Sequence, residues 1–117
     1  MSSSRWYTVV VDCHDNARIA AFWQEVLGWK RVYEAPDEVV ITSHDEREPG
    51  LVFVLVPETK TVKNRLHIDL APDDHDAEVE RIIALGATRV DVGQDGTETW
   101  VVLADPEGNE LCVLSTR

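Results

Sequence analysis

The side chains best suited to chemistry gather in the second half of this 117-residue chain. His67 and Asp69 stand two positions apart, so period-two alternation places them on one strand face, opposite the apolar Leu66. Glu110 lies two residues before Cys112, and we expect both on one face of the last strand. An imidazole near a carboxylate is suited to proton transfer, which makes His67 and Glu110 candidate catalytic residues. Two structural alternatives stay open: His67 as a half-buried histidine bonded to a strand neighbour, and Glu110 in a buried ion pair.

Asp69, Trp100 and Cys112 are candidates for ligand contact. Aromatic walls suit flat apolar ligands, although a tryptophan on a strand of a small domain is more often part of the packing. Lys60 and Lys63 belong to a positive cluster that is rare in this chain. The cluster could attract an anionic group, with a solvated linker as the plainer interpretation.

The secondary-structure elements that must position these residues occur twice along the chain. The sequence VVVDCHDNARIAAFWQEVLGWKRV resembles HIDLAPDDHDAEVERIIALGATRV further on, with Asp15 aligned with Asp73 and Gly28 with Gly86. Each copy predicts a strand, an acidic helix cap, an amphipathic helix with a glycine stop, and a strand. We therefore expect two half-domains packed around a shared cleft.

The patterns predict the order βαβββ twice, in one α+β domain over residues 1–117. Module one spans residues 5–56, the linker 57–64 and module two 65–115. The apolar stripes predict helices over residues 16–26 and 74–85. Strands are predicted over residues 7–11, 30–34, 39–42, 51–56, 65–70, 88–92, 99–104 and 110–114, with a turn at 93–96.

Composition narrows the class of protein. The formal net charge is -11, and such a surface repels phosphate backbones and anionic lipid, so we expect neither nucleic acid nor membrane as a partner. The first residues have no apolar core that would mark a secretory signal, so we expect a cytoplasmic protein. Cys13 and Cys112 are then expected to be free thiols.

Two segments resemble the glyoxalase, or vicinal-oxygen-chelate, superfamily, and in particular its small glyoxalase-like proteins. The first is the opening, Asp15 followed by Ala21-Phe22-Trp23 and Val26-Leu27-Gly28-Trp29. The second is the closing run from Leu103 to Glu110, LADPEGNE. The resemblance covers nearly the whole chain. It implies two βαβββ modules whose sheets curl around a central cleft with the helices outside, and a homodimer.

Enzymes of that superfamily hold a divalent metal through the first and last strands of each module. By the resemblance, the four positions fall near Thr8, in the apolar segment 51–56 that includes Phe53, at His67, and at Cys112 with Glu110 nearby. Of these positions, only His67 and one of Glu110 and Cys112 offer a metal ligand. Two ligands are fewer than the roughly three protein groups of an open catalytic site. This count disfavours a divalent metal, and we expect no cofactor. Thr8 and Phe53 join the candidates for ligand contact.

The sequence thus predicts a glyoxalase-like domain that binds a small organic molecule in the cleft, without metal and with no assigned activity. One alternative is a divalent-metal-dependent enzyme of lyase, isomerase or dioxygenase type. Another is a non-catalytic scaffold domain. No phosphate loop, nucleophile elbow or zinc-spaced cysteine pair occurs, so those enzyme classes are disfavoured.

Overall fold

The computed structural model of the protein describes residues 3–90 and 100–115. The chain forms two compact units, Met1–Thr59 and Lys60–Arg117. The boundary falls inside the predicted linker, residues 57–64. Among the described residues, no helix is long and apolar enough to span a membrane.

The first unit is a βαβββ module. Its elements are β1 (Thr8–Cys13), α1 (Asn16–Leu27), β2 (Lys30–Ala35), β3 (Glu38–Thr42) and β4 (Gly50–Leu55). The sheet has the order β1-β4-β3-β2, with β1 parallel to β4 and the other pairs antiparallel. The first strand of the module therefore lies beside the last.

The second unit repeats this topology. Its elements are β5 (Ile68–Leu70), α2 (His75–Ala84), β6 (Thr88–Arg89), β7 (Trp100–Ala104) and β8 (Glu110–Leu114). The order β5-β8-β7-β6 and the parallel β5–β8 pair match the first unit. The predicted fold class of two tandem βαβββ modules is confirmed. The turn predicted at residues 93–96, the end of the strand predicted over 88–92 and Thr99 lie outside the described residues.

The helix caps correct one detail of the predicted repeat. The Asp15 carboxylate accepts a hydrogen bond from the Arg18 amide at 3.1 Å, and Asp74, not Asp73, does the same for Ala77 at 3.2 Å. Gly28 ends the first helix in the left-handed conformation. The two caps, Asp15 and Asp74, are therefore equivalent positions. Aligning them shifts the first strand of the second module by one residue from the alignment of Asp15 with Asp73.

The apolar stripe of each helix lies against its own sheet. In the first module, α1 buries Ile19, Phe22, Trp23 and Val26 and packs on β3 and β4. Phe53 on β4 is 0% exposed, so it belongs to this core. A side chain with no exposed surface has nothing to offer a ligand, which corrects the expectation that Phe53 contacts one.

The core of the second module has smaller side chains. Helix α2 buries Val79 and Ile82 and packs on β8, where Leu111 and Val113 are fully buried. The core face of β8 thus carries alternate residues, and Glu110 and Cys112 point to the other face. This alternation positions the candidate site.

The tight turn before β8 is held by a buried carboxylate. Asp105 is 4% exposed, and its Oδ1 accepts hydrogen bonds from the amides of Glu107 and Asn109, each at 2.9 Å. Gly108 adopts a positive φ of 88°, which favours glycine. The turn fixes where β8 begins, and with it the position of Glu110.

Candidate functional site

A pocket of about 360 Å³ opens on one face of the second module. Strand pairing explains its composition, since Asp69 on β5 and Val102 on β7 both lie opposite Cys112 on β8. Trp100 lies opposite Leu114 in the same sheet. The pocket is lined by Lys63, His67, Asp69, Trp100, Val102, Glu110, Cys112 and Leu114.

Three of the lining side chains converge. His67 Nε2 lies 3.0 Å from Asp69 Oδ1, and both side chains are about half exposed, at 44% and 50%. The ligand atoms of His67, Asp69 and Cys112 all lie within 4.8 Å of one another. Imidazole, carboxylate and thiolate are all metal ligands, so this donor set fits one divalent cation. We call these three residues the His–Asp–Cys cluster.

The thiol in this cluster is not activated as a nucleophile. Burial raises the pKa of Cys112, and the charge of Asp69 and its hydrogen bond with the thiol raise that pKa further. A catalytic cysteine needs the opposite surroundings, which stabilise the thiolate at neutral pH. The protonated thiol instead donates to the Asp69 carboxylate, so covalent catalysis by Cys112 is disfavoured.

Glu110 is held in an ion pair. Its Oε2 lies 3.1 Å from Lys60 Nζ and accepts a hydrogen bond from the Asn64 amide at 3.2 Å. Burial acts to raise the pKa of Glu110, but Lys60 and the backbone amides outweigh it, and the pKa lies below its usual range. The carboxylate therefore stays charged at neutral pH and is a poor proton donor.

The structure brings together five of the seven candidate residues. His67, Glu110, Asp69, Trp100 and Cys112 all line the pocket. Both structural alternatives left open by the sequence are observed. His67 is about half exposed and contacts Asp69, two residues further along, and Glu110 forms an ion pair whose partner is Lys60.

The other two candidates, Thr8 and Phe53, belong to the first module and do not line this pocket. The Thr8 hydroxyl donates to the Gly50 carbonyl oxygen at 2.8 Å. Phe53 lies in the core.

Sequence reasoning missed that the second module alone offers three metal-type ligands. From the sequence, Asp69 is a candidate for contact with an organic ligand only. The metal ligands predicted are His67 and one residue of the last strand. The signal was present, because His67 and Asp69 alternate onto one face. The missing information was the β5–β8 register, which sets Asp69 opposite Cys112.

Solved structures with the same fold are numerous. A glyoxalase/bleomycin resistance protein/dioxygenase family enzyme from Burkholderia phytofirmans PsJN is 22% identical with a TM-score of 0.71, over 94% of this chain and 97% of that one. A mutant of the fosfomycin resistance protein FosX from Listeria monocytogenes, complexed with Mn(II) and 1S,2S-dihydroxypropylphosphonic acid, is 15% identical with a TM-score of 0.76, over 99% and 93%. These likenesses show the fold.

The oxidase ChaP-H2 is a further similar structure, 17% identical with a TM-score of 0.68, over 99% of this chain and 96% of that one. No curated protein matches the sequence significantly. The model of the glyoxalase-like domain family matches residues 8–114, nearly the whole chain. With both βαβββ modules inside that match, the chain belongs to the glyoxalase-like domain family.

Proposed function

We propose that the pocket of the second module binds a small organic molecule. The observation that carries the proposal is the pocket itself, whose volume of about 360 Å³ lies in the range of small-molecule sites. Its lining combines an apolar wall with a few polar groups, which is the usual composition of such sites. On this view the activity needs no metal, and the protein is a binding protein or an enzyme of a type still to be assigned.

The lining suggests which part of a ligand each residue contacts. Trp100, Val102 and Leu114 offer an apolar wall on which a flat group can lie. His67 offers a ring nitrogen for a polar group. Glu110 offers a fixed negative charge, because Lys60 and Asn64 hold its carboxylate in place. We therefore expect an amphiphilic ligand with an apolar body and a hydrogen-bonding end.

Two substitutions test this role. Glu110→Gln keeps the shape of the side chain and removes its charge, and His67→Asn removes the imidazole. With a ligand found by screening a small-molecule library by NMR, each change should weaken binding by about 2 kcal/mol, roughly 30-fold in Kd. Matched control variants are His44→Asn and Glu48→Gln, at exposed positions of the first module.

The controls should change Kd less than about twofold, in line with exposed surface substitutions. Circular dichroism on all four variants separates lost binding from lost folding. Binding by both pocket variants at the parental Kd would refute the site assignment.

A second candidate is a divalent-metal-dependent enzyme, and the His–Asp–Cys cluster is the observation that favours it. A bound cation would act as a Lewis acid on a substrate oxygen. His67 and Asp69 would then hold the ion rather than transfer protons. Removal of metal by a chelator separates the candidates, because ligand binding should survive it only for a metal-independent pocket.

We further propose that the protein acts as a homodimer in the cytoplasm. Both cysteines are free, as predicted, which suits a reducing compartment. Val10, Val32 and Tyr33 on the edge strands β1 and β2 expose apolar surface that a second copy could cover. Light scattering should give twice the chain mass, and a monomer at every accessible concentration would contradict the dimer.

A further inference from the structure

We propose that the pocket takes an organic anion, a flat apolar body with a carboxylate end, and that Lys63 binds the carboxylate. This assignment rests on the proposed function, because it names the chemical class of the ligand that occupies the same pocket. Its starting point is the cationic segment, residues 60–65, which contains Lys60, Lys63 and Arg65. None of these three side chains has a role among the ligand contacts proposed above.

The pocket has a polar end and an apolar end along β8. Glu110 begins the strand, and Leu114, four residues later, lies opposite Trp100 on β7. At about 3.3 Å per residue, roughly 13 Å separates the two ends. A ring system that lies on Trp100 and Leu114 therefore directs its polar substituent towards Glu110.

Hydrogen bonds and an ion pair hold the cationic segment at the polar end. The Asn64 amide donates to Glu110 Oε2 at 3.2 Å, and Asn64 Nδ2 donates to the Glu110 carbonyl oxygen at 3.0 Å. Lys60 Nζ lies 3.1 Å from the same Oε2 and also donates to the Val62 carbonyl oxygen. The chain is thus fixed on both sides of Lys63, whose side chain lines the pocket.

The charged groups of the pocket differ in whether the protein already supplies their partners. The carboxylates of Asp69 and Glu110 are both held by protein donors. Lys63 is exposed and forms no ion pair with any residue that the structure describes. Burial and Asp69 raise the pKa of the Cys112 thiol, and the Lys63 charge opposes them, so the ammonium acts on the interior of the pocket. An ammonium with this placement is suited to an anionic ligand group.

The formal net charge of -11 does not prevent such binding. Exposed charges more than about 8 Å apart are largely screened at physiological ionic strength. The preference for an anion therefore comes from contact with Lys63 and not from total charge. Arg65 offers the matched comparison, because it carries the same charge two residues further along and does not line the pocket.

Three probes with one naphthalene body test the ligand class: naphthoate, naphthamide and naphthylmethylammonium. In NMR titrations, the parent should bind naphthoate at least about tenfold more tightly than naphthamide, because the charged hydrogen bond is the stronger. The ammonium probe should bind most weakly. Equal affinity for naphthoate and naphthamide, preference for the ammonium probe, or no binding of naphthoate at millimolar concentration would overturn the proposal.

Matched variants test the role of Lys63. Lys63→Gln should raise the Kd of naphthoate at least about tenfold and that of naphthamide less than about twofold. Arg65→Gln should change neither Kd by more than about twofold. Equal weakening of naphthoate by the two variants would reveal a long-range charge effect and would refute the contact with Lys63.

Lys60 is a positioning residue, since it acts through Glu110 and the backbone of the segment. Lys60→Met removes the counterion of Glu110 and should weaken naphthoate about tenfold with little change for naphthamide, while Lys60→Arg should restore naphthoate binding. Damage to the fold alone would weaken both probes alike. Equal losses of both probes, or no recovery in Lys60→Arg, would contradict the positioning role.

The same titrations separate this proposal from the proposed function. If ligands without an anionic group depend on His67 and Glu110 while Lys63→Gln binds naphthoate as the parent does, the pocket stands and the anion class is wrong. If His67→Asn and Glu110→Gln bind every ligand, naphthoate included, at the parental Kd, the proposed function itself fails.

Discussion

The two modules share one topology but carry different chemistry on the sheet face away from the helix. Counting back from the helix caps Asp15 and Asp74, Thr8 corresponds to His67 and Val10 to Asp69. The parallel registers extend the comparison, since Val10 lies opposite Val52 just as Asp69 lies opposite Cys112. Where the second module has imidazole, carboxylate and thiol, the first has a hydroxyl and two valines.

The difference shows that the fold requires apolar residues on only one face of each sheet, the face that packs on the helix. Leu51 and Phe53 in the first module match Leu111 and Val113 in the second, and all four are buried. The opposite face has no such constraint, because Val10 is 55% exposed and Asp69 is also exposed. The repeat can therefore keep its core in both copies while only one copy carries a polar site.

One position cannot be exchanged between the modules. Gly50 stands in the first module where register places Glu110 in the second. A Cβ added at Gly50 would lie 2.9 Å from the Ile41 carbonyl oxygen, which is closer than such atoms approach. The first module thus has no room for a counterpart of Glu110 without a shift of its backbone.

The largest effect expected from the comparison concerns the cores. Phe53→Ala removes a fully buried ring and should destabilise the protein by about 3–5 kcal/mol, whereas Val113→Ala at the matching position removes far fewer atoms and should cost less. Urea denaturation of both variants measures the two losses. Equal losses, or a Phe53→Ala cost below about 1 kcal/mol, would show that Phe53 is not the centre of the first core.

The fold was predictable because its signals are local and repeated. The apolar stripes, and the Leu-Gly pair that follows each of them, predicted the bounds of both helices to within one or two residues. The cap of α2 was ambiguous, since Asp73 and Asp74 are chemically equal candidates and only the hydrogen bond to Ala77 distinguishes them.

The site was only partly predictable. Strand alternation grouped His67 with Asp69, but the pairing of Asp69 with Cys112 and of Glu110 with Lys60 depends on long-range register. Phe53 was included among the candidates for ligand contact for a related reason. In a continuous apolar strand, residue type does not tell the core side from the other side.

A second comparison concerns the loops that precede the last strand of each module. Asp105 is buried and satisfies two amides, so Asp105→Ala should cost about 2–3 kcal/mol by leaving them without an acceptor. Asp45 makes similar bonds, to Ser43 and the Arg47 amide, but is exposed. Asp45→Ala should lower the melting temperature clearly less, because water replaces the lost acceptor. A reversed order in calorimetry would contradict this.

The smallest effect concerns Glu110, which has no counterpart in the first module. Its pKa is depressed below the ordinary 4.5, so the ion pair with Lys60 stabilises the fold above that pH and is lost as pH falls through the lower value. Glu110→Gln should therefore be less stable than the parent at neutral pH, by about 1 kcal/mol. The gap should close as the pH falls through that lowered pKa, because the parent's carboxylate then takes up a proton. Urea melts across that range measure it, with Glu48→Gln as the exposed control. A gap that is independent of pH would mean that Glu110 contributes through shape rather than charge.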